Sequence, residues 1–359
     1  MSSRNVIGPE EQPGTVWPLE AEHDAGDADR TGQPFRIENF SMATDPRVPE
    51  LPEWLQELYP YRIRHLQLGP WKMSLVDEGP PGAPVFLLLH GNPTWSFLYR
   101  DLIARLRGKY RVIAPDTIGF GLSDKPAVAN YHTLAQHISN LTRLIEALAL
   151  RNVSLVMTGA GGPIGLGYAV RFPQNVARLV MASTWGPNLP RPRHAQQPLG
   201  VRLAGKGKFG AWLDSLLNLT MHSMFATRTA RPLNDLALEA YTFPFREPGS
   251  RVALRAFSQM FYDPDGETTA KLDEIHAGLK NITAPAHIVF GAEDRALGKL
   301  PAYLLRDSLK NAREPVFVPG AAHFLPEEAP EAFANFVLRA VEQDGPKGRP
   351  GSIFKILDQ

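Results

Sequence analysis

Short apolar runs, each closed by turn residues and separated by stretches of helical period, constrain this chain more than any other feature. Val85–Leu89 is five consecutive apolar residues ending at His90-Gly91, Arg111–Ala114 runs into Pro115-Asp116, and Val153–Met157 runs into a glycine-rich stretch. A strand with one wet face alternates apolar and polar side chains, whereas an unbroken apolar run marks a strand covered on both faces. Leu134–Leu148 and Gly161–Val170 carry apolar residues at helical spacing between these runs. Arg62–Leu68 and Trp71–Asp77 read as an opening pair of strands; Val176–Ala182, Ala286–Phe290 and Pro315–Val318 supply later ones, with a helical pattern at Leu300–Leu309. Strands alternating with helices predict an α/β fold, a mainly parallel sheet with helices on both faces.

The rhythm fails from about Gly186 to Tyr262, a helix-rich interval heavy in Arg, Phe, Leu and Met. Its place between core strands predicts an inserted helical cap at 187–262, splitting the core into 46–186 and 263–342. Such a cap would sit over the strand ends, where open α/β sheets bind ligands. Residues 1–45, rich in Gly, Pro, Asp and Glu, read as an N-terminal extension, and 343–359 as a tail that starts with Gly and Pro punctuation.

Composition narrows the function. A net charge of +1 gives no electrostatic reason to expect nucleic acid or an anionic membrane surface. No run approaches the roughly 18 apolar residues of a membrane span. The absence of cysteine removes disulfides, thiolate metal sites and cysteine nucleophiles together. The N-terminus lacks the basic-then-apolar order of a secretory leader, so a cytoplasmic location is expected. With no ligand cluster at metal spacing and no dinucleotide fingerprint, no metal or cofactor is expected. The expected partner is a small-molecule substrate, with no nucleic acid and no membrane.

Three motifs carry a specific likeness. They are His90-Gly91-Asn92-Pro93-Thr94-Trp95, the loop from Pro115 to Pro126 (PDTIGFGLSDKP), and Gly161-Gly162-Pro163-Ile164-Gly165. Together they resemble the haloalkane dehalogenase branch of the α/β-hydrolase fold, over roughly residues 50–342. The resemblance implies a nucleophile on a tight strand-to-helix turn, an Asp followed by a Trp whose ring N–H holds the leaving halide. Here those positions are Gly159 and Ala160. Both departures oppose dehalogenation through an aspartyl ester. No Ser, Asp, Glu, Cys or His lies between Leu155 and Tyr168. Thr158 offers the one aliphatic hydroxyl there, and strand alternation turns it away from the elbow side.

The rest of the implied apparatus is present. His323, in Gly320-Ala321-Ala322-His323-Phe324, matches the base, and Asp294, in Gly291-Ala292-Glu293-Asp294, matches the acid that orients it, with Glu293 as competitor. The backbone N–H groups of Asn92 and Ala160 would form the oxyanion hole, and the Asn92 amide would remain a neutral donor. Trp95 joins Gly159, Ala160 and Asn92 as a substrate-binding candidate. Blander readings stand beside these. Asp116, Ser123 and Asp124 suit loop hydrogen bonding, and His90 suits a structural role. Ser183 and Thr184 read as pocket-lining polar residues. Trp95, Trp185, Phe209, Trp212, Phe225, Tyr241, Phe243 and Phe245 divide between core and pocket wall. Arg191, Arg193, Lys206, Lys208 and His222 read as cap surface.

These residues predict an enzyme without a covalent intermediate, using His323 and Asp294 for water activation or proton abstraction on a small organic substrate. The alternatives are a non-catalytic protein that binds a small molecule or a biosynthetic partner, and an engineered chain whose parent carried Asp at 159. The space above Gly159 discriminates: aromatic side chains filling it would mark a dead site.

Overall fold

Eight strands form one sheet in the order β1-β2-β4-β3-β5-β6-β7-β8 in the computed structural model, which describes residues 51–186 and 197–344. The expectations for the N-terminal extension, for Arg191 and Arg193 and for the tail past Asp344 lie outside those residues. Helix α1 (Glu53–Leu58) leads into β1 (Ile63–Leu68) and β2 (Trp71–Glu78), an antiparallel pair. Next come β3 (Val85–Leu89), α2 (Arg100–Leu106), β4 (Arg111–Pro115), α3 (Leu134–Ala147), β5 (Val153–Gly159), α4 (Gly161–Arg171) and β6 (Val176–Thr184). β2 pairs antiparallel with β4, and every other pairing from β4 to β8 is parallel. The mainly parallel α/β sheet predicted from the sequence is therefore present.

Burial explains the apolar runs. Every residue of β3 and of β5 is buried. α3 lays Leu134, Ile138, Leu141 and Ile145 against the core at spacings of three and four, and its first turn is capped by Thr133, which accepts from Gln136 N–H.

After β6 the described chain resumes with five helices: α5 (Leu199–Ala204), α6 (Gly207–Leu217), α7 (Leu219–Arg228), α8 (Asp235–Thr242) and α9 (Val252–Tyr262). The core continues with α10 (Gly266–Gly278), β7 (Ala286–Gly291), α11 (Leu300–Ser308), β8 (Val316–Val318), α12 (Leu325–Glu328) and α13 (Pro330–Asp344). α13 extends past the predicted tail boundary because the Asp344 carboxylate bonds the Arg178 guanidinium at 2.9 Å and the His287 ring at 3.1 Å.

Two aromatic assignments need correction. Phe209 and Trp212, on α6, belong to neither core nor pocket wall; they are 71% and 56% exposed, and Leu216 and Leu217 of the same helix are also exposed. Phe225, Tyr241 and Phe245 are buried as core residues.

One buried polar feature couples the fold to pH. The rings of His132 and His137 stack with centroids 5.5 Å apart and planes 10° from parallel, and Phe257 of α9 covers His137 at 4.6 Å. Burial drives His132 down to about 4. Burial, with His132 and His90 as further positive neighbours, holds His137 well below its ordinary value. A histidine with a depressed folded pKa binds more protons when unfolded. Its contribution to stability is therefore complete above the unfolded pKa near 6.5 and shrinks as pH falls toward the folded value. At pH 5 the loss from His132 alone is about 2 kcal/mol. Urea midpoints at pH 7 and pH 5 should differ by more in the wild type than in His132→Asn; equal differences would refute this assignment.

Candidate active site

The centre of the site is a turn made by backbone. β5 ends at Gly159 with φ +49°, a left-handed conformation that side chains disfavour, and α4 starts two residues later. The ladder between β5 and β6 shifts register at this point, with Thr158 opposite Ala182 and Gly159 opposite Thr184. Thr184 Oγ1 donates to the Gly159 carbonyl at 2.6 Å and pins the turn. From the neighbouring strand, the turn after β3 comes into contact. A Cβ on Gly91 would lie 3.0 Å from Ala160 N, Gly159 Cα and Thr158 O, so a glycine there permits the approach.

The space over Gly159 is open. Among the described residues beyond its chain neighbours, a Cβ built on it would touch only Gly91 Cα at 3.4 Å and His323 Nε2 at 3.8 Å. His323 therefore presents Nε2 to the elbow. Its other nitrogen, Nδ1, lies 2.9 Å from Asp294 Oδ2, and both residues are buried. Asp294 follows β7, and its Oδ1 accepts from the N–H groups of Ala296 and Leu297 at 2.9 and 3.1 Å. Burial pushes the Asp294 carboxyl up, but the His323 ring, these N–H bonds and the charge of Arg228 together hold it below the ordinary carboxylate value. Glu293 is exposed.

The loop bearing His323 is fixed from two sides. Its backbone N–H donates to the Arg228 carbonyl of α7 at 3.0 Å. The Glu328 carboxylate accepts from Ala230, Ala322 and Phe324 N–H at 2.6, 3.2 and 3.0 Å. Burial raises the Glu328 pKa, against the opposing pull of those three donors. Glu328 thereby holds the loop that carries His323, and nothing in the sequence motifs singles it out.

A cavity of about 140 Å³ stands over the elbow. Gly159, Ala160, Asn92 and His323 form its floor, and Trp185, Phe257, Phe261 and Met224 are among its walls. Trp95 is a correction. It is fully buried away from the cavity, donates its ring N–H to the Ala240 carbonyl at 3.2 Å and stacks on Phe97. Asn92 is half a correction. It lines the cavity, but its amide N–H groups are occupied by Leu254 O at 3.0 Å and Ser258 Oγ at 3.2 Å, both on α9. With both hydrogens taken, the side chain offers the cavity no spare donor, and its Oδ1 is buried without a partner among the described residues.

Ser183 and Thr184 are buried in the strand end rather than lining the cavity. Thr158 bonds the Tyr99 hydroxyl at 3.0 Å, on the far side from the elbow. Asp116 spends its carboxylate on Ser96 and Leu122 N–H, and His90 Nε2 accepts from Thr117 N–H. Sequence reading missed Arg228, Phe257, Ser258 and Phe261 of the cavity wall. The signal was there for the α9 residues, since Leu254, Phe257, Ser258 and Phe261 recur at spacings of three and four.

A family model described as the alpha/beta hydrolase family matches residues 86–336. The chain belongs to the α/β-hydrolase family. Within that family it is 31% identical, over 77% of its length and 86% of the relative's, to a cis-3-alkyl-4-alkyloxetan-2-one decarboxylase of Shewanella oneidensis. It is likewise 31% identical to a haloalkane dehalogenase of Mycobacterium marinum, over 74% of this chain and 88% of the relative. Among solved structures, the haloalkane dehalogenase DatA of Agrobacterium tumefaciens C58 superposes with a TM-score of 0.71 at 26% identity, over 79% of this chain and 97% of that one.

The contact between the two turns gives a direct test. Gly91→Ala should cost about 1–3 kcal/mol, because the added methyl meets backbone that cannot move aside. A melting temperature unchanged from wild type would show that the turns are not in contact.

Proposed function

We propose that this protein is an enzyme that moves protons with the His323–Asp294 pair and forms no covalent intermediate at the elbow. Its substrate is a small organic molecule with a carbonyl electrophile, an ester or a lactone. The observation that carries the proposal is the open volume over Gly159, with His323 Nε2 3.8 Å from where a Cβ would stand. A binding protein descended from an enzyme has no need of a base aimed at an empty elbow.

The chemistry follows from the two nitrogens of one ring. Asp294 accepts a hydrogen bond from Nδ1–H, which leaves Nε2 as the proton acceptor. A water in the elbow space gives a proton to Nε2 as its oxygen attacks the carbonyl carbon. The carbonyl oxygen takes up the negative charge, facing the backbone N–H groups of Asn92 and Ala160, and Ala160 keeps that donor because any residue but proline supplies it. Collapse of the adduct breaks the bond to the leaving oxygen, which takes the proton back from Nε2. A carboxylic acid and an alcohol result, or a hydroxy acid from a lactone. With a substrate that fills the elbow and excludes water, the same nitrogen removes a proton from carbon beside the carbonyl instead.

The relatives bear on this reading in two ways. One is named for a reaction on an oxetan-2-one, a four-membered lactone, the electrophile type proposed here. Others are named haloalkane dehalogenases. By the resemblance their chemistry needs a carboxylate where this chain has Gly159 and a ring N–H where it has Ala160. Haloalkanes are therefore not the substrates proposed.

Hydrolysis of a panel of short-chain esters and β-lactones tests the proposal. His323→Ala should lower kcat by about 10²–10⁴-fold. Intact-mass spectra of the wild type during turnover should show no adduct. Full activity in His323→Ala, or a substrate-derived mass increment on the protein, would falsify it.

A further inference from the structure

Arg228 occupies an unusual position for a cation. It closes α7, lines the cavity and is 9% exposed. Its guanidinium lies 5.5 Å from the centroid of Tyr262, another lining residue. Among the described residues no carboxylate lies within ion-pair distance, and its side chain makes no hydrogen bond to any of them. The nearby acids are committed or remote. Asp294 fills Oδ2 with His323 and Oδ1 with two backbone N–H groups. Glu328 is spent on three backbone N–H groups. Asp273, on the wall formed by α10, is exposed to solvent. Burial accordingly lowers the guanidinium to about 10, with only the distant charge of Asp294 opposing it.

Five N–H donors buried at a cavity wall, with no acceptor among the described residues, are costly unless a ligand supplies one. A carboxylate is the group whose two oxygens match the guanidinium fork. We infer that Arg228 is the recognition residue for a carboxylate carried by the substrate, whose class is a small organic acid with an apolar body. The aromatic walls Phe257, Phe261 and Trp185 take that body. The reacting carbonyl then lies toward Gly159, and the acid end toward α7. The inference rests on the functional reading above for the word substrate, but not for the binding itself.

Calorimetric titration with hexanoate and with its neutral isostere hexanamide separates the two. The wild type should bind the acid roughly tenfold or more tightly than the amide. Arg228→Met should erase the difference, and Arg228→Lys should retain part of it, since the charge stays while the fork is lost. His323→Gln should keep the preference for acid while losing turnover. Were the Met variant unfolded, the wild-type ratio and the Lys variant would decide. Hexanoate binding no tighter than hexanamide in the wild type would show that Arg228 only balances the charge of Asp294, and would overturn the inference while leaving the proton-transfer proposal intact. A preference for acid in a protein whose turnover survives His323→Gln would do the reverse.

Discussion

Two backbones meet at Gly91 and Gly159, and the rest of the site is arranged around that contact. β3 and β5 run parallel as neighbours, with Leu89 opposite Met157, so both chains turn at the same edge of the sheet. Parallel strands deliver all their outgoing loops to one side, and the loops after β7 and β8 bring Asp294 and His323 there as well. Local sequence does not create this convergence. It comes from strand order, which places residues more than 200 positions apart in a single cavity. Buried strands with no polar face make the order hard to disturb, because a slip would leave ladder groups unpaired in a dry interior.

The helices over the sheet do more than enclose the cavity. α9 takes both hydrogens of the Asn92 amide, and α7 accepts the His323 backbone N–H through the Arg228 carbonyl. The segment after α7 gives the Ala230 N–H to Glu328, which also holds the His323 loop. The turn after β3 and the loop after β8 are thus each tied to the inserted helices by partly buried polar bonds. Rigid second contacts of this kind keep a base within the narrow range of positions at which proton transfer is efficient.

Much of the sheet was legible because two-sided burial writes itself into sequence as unbroken apolar runs, as in Val85–Leu89 and Val153–Met157. The histidine and the acid were legible through resemblance, in motifs where loop geometry and residue type travel together. Trp95 was misread for a physical reason. Its motif fixes the backbone turn, but the direction of the ring is set with Phe97 by Tyr59 and the Ala240 carbonyl, the last two distant in sequence. The same holds for the Asn92 amide, claimed by a helix more than 160 residues later. Arg228 shows the complement. Nothing in its own helix distinguishes it from a solvated base, and its lack of an ion-pair partner among the described residues is visible only in the folded chain. Phe209 and Trp212 were assigned inward on hydrophobicity alone, which predicts a preference for burial but not which face of a helix is left exposed.

Gly159 is where sequence and structure bear on each other most closely. In the resembling family a side chain at this turn is held in a backbone conformation that costs of order 1–3 kcal/mol, strain that the surrounding fold must sustain. Glycine adopts φ +49° without that cost, so the turn here carries no strain to relieve. Its shape persists nonetheless, because Thr184 pins the Gly159 carbonyl and Gly91 abuts it from β3. The turn is therefore held through its backbone, by contacts that use no side chain at position 159. Around it His323, held by Asp294, lines one cavity with Asn92 and Ala160, without any side chain at the turn itself. What stands over the turn is a cavity of about 140 Å³ rather than a side chain, with His323 Nε2, chain neighbours aside, as the nearest side-chain atom to where a Cβ would stand.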